Sequence, residues 1–285
     1  AHHWARQLQA QGFTVKLIAP QFVKPHVKSN KNDANDAEAV CEAMSRPSMR
    51  FVAVKSVEQQ DIQAVHRIRA ELLDQRKSKG NQIRGLAGEY GLVAPLQLCH
   101  LRAAIPGWLE DPDNGLSERF RRLLNGLRED LKGLDERVAE LDAEIAAIAE
   151  EEPAAQRLQQ LRGVGPITAT ALVAAVGDGA QFATGRQMSA ALGLTPRQRS
   201  SGGKERLLGI SKRGDSYLRT LLIHGARAVI RTAQHKEDRL SQWVTALVKR
   251  RHPNVAAAAL ANKTARIAWA MLRNGTDYQP DRVTC

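Results

Sequence analysis

The longest hydrophobic pattern in the chain is a seam. Leu124, Leu127, Leu131, Leu134, Val138, Leu141, Ile145 and Ile148 recur three and four apart, which is an a/d repeat held for more than three heptads and predicts a long coiled-coil helix. The seam can close on an earlier helix or on a second copy of the chain, and the pattern is the same for both. The earlier helix is predicted from about Val57 to Glu89, with Ile62, Val65, Ile68, Leu72 and Leu73 on one side and Arg67, Arg69, Arg76, Lys77 and Lys79 on others. Between the two, residues 91–112 carry Pro and Gly and read as a link.

Upstream of these helices the period changes. His2 to Ala10 reads as a helix already under way, followed by Gly12 and a strand over Phe13–Ala19 that ends at Pro20. A second strand is expected over Arg50–Lys55. Helix then strand is half of a βαβ unit, and the strand that should precede the helix is expected upstream of Ala1. Between the strands, Asn32-Asp-Ala-Asn-Asp-Ala starts a helix with an acidic first turn, which suits the helix dipole. Asp33 and Asp36 lie three apart and share a face. Two such carboxylates suit a Mg²⁺ ion that polarises a phosphoryl oxygen. The other reading is that Asp33 caps the helix, Asp36 sits in its first turn, and Lys28 and Lys31 are surface charge.

Beyond Pro153 the apolar positions thicken. Leu158 to Val173 predicts a helix, a turn at Gly163-Val-Gly165 and a second helix opened by Pro166, the order of a helix-hairpin-helix. Backbone N–H groups at the second helix's start can reach a phosphate. Gly163, Val164, Gly165 and Thr168 are therefore candidate contacts to a DNA backbone gripped without being read. An ordinary tight turn between helices would carry the same residues. Further on, Ser216–Arg231 is amphipathic, with Leu218, Leu221, Leu222 and Val229 inward and Arg219, Arg227 and Arg231 on other faces, placed to track phosphates or simply to be solvated. His224 on this helix reads as a packing or hydrogen-bonding residue. Lys249 to His252 is a short basic run, and the Ala-rich helix Val255–Arg273 packs on the domain.

Between those helices lies Arg197-Gln-Arg-Ser-Ser-Gly-Gly-Lys-Glu-Arg206, continuing through Gly209-Ile-Ser-Lys-Arg-Gly-Asp215. Ser200 and Ser201 offer hydroxyls, Gly202 and Gly203 let a phosphate approach the backbone, and Arg197, Arg199, Lys204, Arg206, Lys212 and Arg213 supply positive charge. That set suits a phosphodiester that is held or attacked; a flexible, solvated Ser/Gly loop is the plainer alternative.

Composition favours a nucleic-acid partner. With 42 Lys+Arg against 30 Asp+Glu the chain carries +12, and its pI is about 10.0, which points to a polyanion. Its 285 residues give room for two domains, and aromatics at 4% favour helices packed with Leu, Ala and Val. No apolar run is long enough to span a bilayer and Ala1-His-His-Trp is not a signal peptide, so the protein is expected in the cytoplasm. Cys41, Cys99 and Cys285 form no CxxC pair and support neither a disulfide framework nor zinc. The four tryptophans show no pattern of base-stacking platforms.

Four strings carry a resemblance: Ile18-Ala-Pro-Gln-Phe-Val-Lys-Pro25, Lys31-Asn-Asp-Ala-Asn-Asp-Ala37, Gly163-Val-Gly-Pro-Ile-Thr-Ala169, and Ser200-Ser-Gly-Gly-Lys204 with Gly209–Asp215. Over nearly its whole length the chain resembles bacterial insertion-sequence transposases of the DEDD-plus-serine type, the one-ten family, in the subgroup typified by the one-one-one-one element. The resemblance implies an α/β plus α fold: a partial RuvC-like (RNase H-like) domain at 1–56, a coiled-coil region at 57–152, and a mainly helical C-terminal transposase domain with a helix-hairpin-helix at 153–285. It implies Mg²⁺ held by four acids, of which the last two carry over to Asp33 and Asp36. It further implies a serine that attacks DNA to form a phosphoserine link. That role carries over best to Ser201, with Ser200 the second choice. DNA, a structured guide RNA and a homodimer or homotetramer follow as partners, with no membrane. The family's first Asp and its Glu would lie at or upstream of Ala1, so half of the metal site is expected to be missing and the chain is expected not to run the full recombination. Two other classes fit the residues: a non-catalytic nucleic-acid-binding remnant, and a helix-hairpin-helix nuclease that hydrolyses with Mg²⁺ and leaves no protein on the DNA.

Overall fold

A computed structural model describes residues 1–28 and 32–280; Lys31 and Cys285 of the sequence reading lie outside the described residues. Helix dominates. Backbone contacts group Asp61–Pro153 as one compact unit and join Ala1–Gln60 with the chain from Ala154 onward as the other.

The chain starts with α1 (His2–Ala10), β1 (Leu17–Ile18), α2 (Pro20–Val23), a 3-10 turn at Lys24–His26, α3 (Asp33–Ser45) and β2 (Phe51–Val52). Arg6 of α1 reaches the Lys55 carbonyl at 2.7 Å and also the Gln60 side chain. The two strands are shorter than the sequence predicts. They pair antiparallel, Leu17 opposite Val52 and Ile18 opposite Phe51. A strand persists only where it has partners, and among the described residues these two have only each other.

The Asp61–Pro153 unit is built on α4 (Val57–Gly88), α5 (Leu98–Glu110) and α6 (Glu118–Glu151). Ser117 starts α6 by accepting the Phe120 N–H at 3.2 Å, a side-chain cap of the ordinary kind. α6 lies alongside α4 of the same chain, and Leu124 and Leu131 of the seam share a buried cluster with Ile83 of α4 and Leu101 and Ile105 of α5. Arg69 pairs with Asp142 at 2.5 Å, Arg76 with Asp135 at 3.3 Å and Lys79 with Asp130 at 2.9 Å. Rising numbers on α4 meet falling numbers on α6, so the helices run antiparallel. Every seventh residue of the seam, Leu124, Leu131, Val138 and Ile145, is buried, each burial stabilising by about 1.5–3 kcal/mol. Leu127, Leu134, Leu141 and Ile148 are half-buried.

The segment read as a Pro/Gly link holds α5, with Leu101 and Ile105 fully inside. Their spacing is helical, and the Pro106 that disguised it removes one backbone donor from a helix that tertiary packing retains.

In the other unit, α7 (Pro153–Gln159), α8 (Pro166–Val176) and α9 (Gly185–Ala191) precede a hairpin of β3 (Pro196–Gln198) and β4 (Leu207–Ile210). Then come α10 (Ser216–Ala233), α11 (Arg239–Arg250) and α12 (Pro253–Asn274). Thr168 through Ala174 of α8 are all buried, because α8 is apolar on every side and therefore belongs inside. α10 packs on α8, α11 and α12, and α9 packs on α12. The N-terminal segment joins this body: Gln59 donates its amide to the Val173 carbonyl at 3.3 Å, and the Ala53 N–H reaches Gln181 Oε1 at 3.5 Å.

Candidate functional site

The serine stretch is not a shapeless loop but a two-residue β-hairpin. Lys204 donates its N–H to the Ser201 carbonyl at 3.1 Å, Ser201 and Lys204 form a bridge, and Gly202 and Gly203 between them have φ of +56° and +74°. Positive φ at both central positions is the type I′ requirement, which glycine meets without strain. A Cβ at either position would meet nothing within 4 Å, so the tip is open to a ligand.

Register then separates the two serines. Gln198 lies opposite Leu207 and Ser201 opposite Lys204, which sets Arg199 against Arg206 and Ser200 against Glu205. Side chains alternate across a strand and opposed residues share a face. One face therefore carries Ser201 with Arg199, Lys204 and Arg206; Arg197 lies where the register shifts, between Pro196 and Gln198, so alternation does not assign it a face. The opposite face carries Ser200 with Gln198, Glu205 and Leu207. Ser200 is already engaged, its Oγ accepting from Gln198 Nε2 at 2.8 Å and from the Arg206 N–H at 3.3 Å. Residues 196–207 are exposed throughout, and among the described residues none of the four cations forms an ion pair with a carboxylate. Like charges held together in this way are relieved by a polyanion.

The base of the hairpin is anchored. Ser211 donates its N–H to the Thr195 carbonyl at 2.8 Å and Lys212 donates to the Gly193 carbonyl at 3.1 Å. Lys212 has φ +56°, a left-handed conformation that costs a non-glycine residue about 1–2 kcal/mol, with its side chain exposed beside that of Arg213. Asp215 caps α10 by accepting the Leu218 N–H at 3.0 Å. Arg219, read as placed to track phosphates or to be solvated, donates to the carbonyls of Leu192 and Arg213 at 3.1 and 3.2 Å. Its guanidinium holds the hairpin base to the domain. His224, read as a packing residue, is exposed on α10.

The Gly163–Gly165 turn joins α7 to α8 as the sequence orders it, and its glycines have different work. Gly163 (φ +82°) lies against Gly225 of α10: a Cβ on Gly163 would be 2.7 Å from the Gly225 oxygen, and a Cβ on Gly225 would be 1.9 Å from the Gly163 oxygen. Val164 and Thr168 are buried, so neither side chain can touch DNA. Gly165 is exposed, caps α8 with no side-chain hydrogen bond, and would carry a Cβ into open space. What the turn can offer a phosphate is the backbone at the start of α8. Arg162, not singled out from the sequence, staples the turn: its Nη1 reaches Asp238 Oδ2 at 2.7 Å and Ser241 Oγ at 2.6 Å. Burial pushes the Asp238 carboxyl up, but the Ser241 hydroxyl and N–H, with Arg162, outweigh it and hold it below the ordinary value. These partners lie far apart in sequence, which left no local signal.

Asp33 and Asp36 occupy the first turn of α3. The helix is capped by Asn32, whose Oδ1 accepts the Asn35 N–H at 2.7 Å, so Asp33 is not needed as the cap. Lys28 pairs with Glu38 at 2.5 Å rather than with either aspartate. Asp33 is exposed and Asp36 half-buried. Among the described residues no third His, Cys, Asp or Glu completes a metal-binding group with them. Two carboxylates one turn apart nonetheless fit Mg²⁺, which commonly takes one or two carboxylates and leaves its other positions to water and phosphate. α3 packs chiefly on α2 and the 3-10 turn, and β3 and β4 chiefly on each other.

Comparison with known proteins accounts for both halves. Residues 155–241 match the Transposase IS116/IS110/IS902 family, and residues 1–91 match a transposase model of the DEDD type from IS110 elements. The chain is 52% identical to a probable family 20 transposase of Pseudomonas aeruginosa, over 98% of this chain and 83% of that protein. It is 49% identical to the transposase for insertion sequence element IS1111A of Coxiella burnetii, over 98% and 77%. Against the transposase for IS1328 of Yersinia enterocolitica identity is 42%, over 98% and 82%. Among the described residues no helix is long and apolar enough to cross a membrane. With these matches spanning both ends of the chain, it belongs to the IS110/IS116/IS902 family of insertion-sequence transposases.

Proposed function

We propose that this transposase cuts and rejoins DNA through Ser201, presented on the basic face of the β3–β4 hairpin. The carrying observation is the register, which sets Ser201 among Arg199, Lys204 and Arg206 while the Ser200 hydroxyl is already hydrogen-bonded on the opposite face. Ser201 Oγ attacks the phosphorus of a phosphodiester, a phosphoserine bond forms and a sugar hydroxyl leaves. A sugar hydroxyl of the receiving strand then attacks the phosphoserine and returns the serine. One P–O bond is made for each one broken, so the strand exchange needs no external energy source. The cations on that face hold the scissile phosphate and stabilise the charge that builds on its oxygens. Gly202 and Gly203 leave room for the approach.

Asp33 and Asp36 would hold Mg²⁺, which when bound polarises a phosphoryl oxygen. The backbone at Gly165 and the start of α8 grips the DNA backbone nearby. The partners under this reading are DNA, a structured guide RNA and further copies of the chain in a dimer or tetramer. The +12 charge supports the first two, and the half-buried side of the α6 seam supports the third. The work would take place in the cytoplasm on the nucleoid.

The test is covalent capture. End-labelled insertion-sequence junction DNA is incubated with Mg²⁺ or EDTA, denatured and resolved for protein-linked label. In a form extended at the N-terminus to carry all four acids, adduct with the unsubstituted protein and S211A, but not with S201A or in EDTA, is the expected result. Adduct with S201A sinks the assignment, and hydrolysis of the DNA with no adduct in any variant supports the nuclease reading instead.

A further inference from the structure

A second feature of the C-terminal body lies apart from the hairpin. α9, α11, α12 and the segment after α12 enclose a groove of about 770 Å³, within the size range of small-ligand sites. Two tryptophans line it, Trp243 of α11 and Trp269 of α12, together with Tyr278. The Trp269 ring is fixed, its Nε1–H donating to the carbonyls of Gly179 and Phe182 at 3.1 and 3.2 Å. Over Trp243 the ammonium of Lys263 stands 4.8 Å from the ring centroid. Arg186 and Arg266 line the same groove and are exposed. The outer wall is held by Gln160, which donates to Asp277 at 2.9 Å and accepts the Tyr278 N–H at 2.8 Å. That contact engages the acid on the rim.

Indole faces in a concave site with three cations around them match one ligand chemistry: a flat base attached to a phosphate. Bases stack on aromatic side chains whatever their sequence, while arginine and lysine take the backbone. A duplex keeps its bases stacked inside and cannot offer one to a groove of this kind. We propose that this groove binds an unpaired nucleotide of a nucleic-acid strand, its base against Trp243 and its phosphate against Arg186, Lys263 and Arg266. The site stands whether or not Ser201 is the nucleophile.

The test uses the full chain and fluorescein-labelled rU12, dT12 and a 12-base-pair duplex, followed by anisotropy across a salt series. R186A/R266A alters two exposed side chains, and its fold is checked by circular dichroism. It should lose tenfold or more in affinity for the single strands and about 1.4 from the salt slope, from a slope of roughly 0.7 per phosphate contact. Duplex affinity should stay within about twofold. W243A should lose a further tenfold or so, with W243F recovering part of it, because stacking needs a ring and not an indole in particular. A preference for rU12 or dT12 identifies the strand that fills the groove. Wild type failing to bind either single strand, the variants binding them as wild type does, or an equal loss on the duplex would each overturn the proposal.

Discussion

Gly225→Ala sets two physical effects of opposite sign against each other. Gly225 lies in the interior of α10, where alanine is the better helix former by about 0.8–1.0 kcal/mol. Propensity alone therefore predicts a stabler protein. The structure predicts the reverse, since the new methyl would lie 1.9 Å from the Gly163 oxygen and 2.9 Å from its carbonyl carbon. Both are backbone atoms, so no rotamer change relieves the contact. A comfortable carbon–oxygen separation requires α10 and the 163–165 turn to part by more than about 1 Å, and interiors packed at crystal-like density resist such shifts. Leu222, Ala226 and Val229, buried on the same helix, would move with it.

Overpacking typically costs about 1–3 kcal/mol and occasionally more. Backbone against backbone belongs at the upper end, at about 3 kcal/mol, so the helix gain leaves a net loss near ~2 kcal/mol. At about 2–4 °C per kcal/mol for a body of this size, the Tm should fall by roughly 4–8 °C in a thermal melt followed by circular dichroism at 222 nm. Gly163→Ala should behave similarly, for its φ of +82° adds left-handed strain. Gly165→Ala faces open space and should move the Tm by no more than about 2 °C while weakening DNA binding, because its methyl stands beside the amides at the start of α8. A rise in Tm for Gly225→Ala would refute the close approach, and with it the view that Gly163 serves packing rather than DNA.

Two further predictions concern charge. His66 is buried in α4; burial chiefly, with the Arg69 charge, pushes its imidazole from 6.5 down to about 4. Between those values the unfolded chain takes up a proton that the folded chain refuses, so stability is full above about pH 6.5 and falls as pH drops toward 4. The loss approaches about 3 kcal/mol, and melts at about pH 7 and about pH 4.5 should show a slope that His66→Leu removes. Lys212→Gly relieves the left-handed strain at φ +56° but adds unfolded-state entropy of similar size. Its Tm should therefore hold or rise slightly, while duplex DNA binding loses about 0.9 from its salt slope if Lys212 meets a phosphate.

Helix periods were legible in the sequence, and contacts between distant segments were not. The α4 and α6 helices stand where their apolar periods put them, because a heptad seam is a property of one stretch. That α6 lies alongside α4 shows in the pairing of Arg69, Arg76 and Lys79 with Asp142, Asp135 and Asp130 far along the chain, which periodicity does not encode. α5 was hidden by Pro106, since propensity is a weak prior once Leu101 and Ile105 can be buried. The paired role of Gly163 and Gly225 was invisible for the same reason as the Arg162 staple: each needs to know what lies opposite. That Trp243 and Trp269 line one groove is a third case: the sequence reading found no base-stacking pattern in the tryptophans, because what brings them to one groove is how α11 and α12 pack.

The two serines show where the boundary falls. Neighbouring hydroxyls are equivalent by composition, and only strand parity distinguishes them, because a shift of one residue moves every side chain to the other face. Parity needs a register, and here the register is fixed by the two glycines at positive φ, which seat the turn between Ser201 and Lys204. The Gly-Gly pair between alternating side chains was itself a hairpin signal, masked by a composition that also reads as a flexible loop. Once the hairpin is recognised, three cations follow, because Arg199 precedes Ser201 by two residues and Lys204 and Arg206 are its cross-strand continuation, whereas the register shift between Pro196 and Gln198 breaks the parity at Arg197. Under the proposed reading the same two glycines open the tip and select which hydroxyl shares a face with the cations, and moving the turn by one residue, as in a Gly inserted after Gly203, should break the Ser201–Lys204 bridge and abolish adduct formation with every side chain of the hairpin still present.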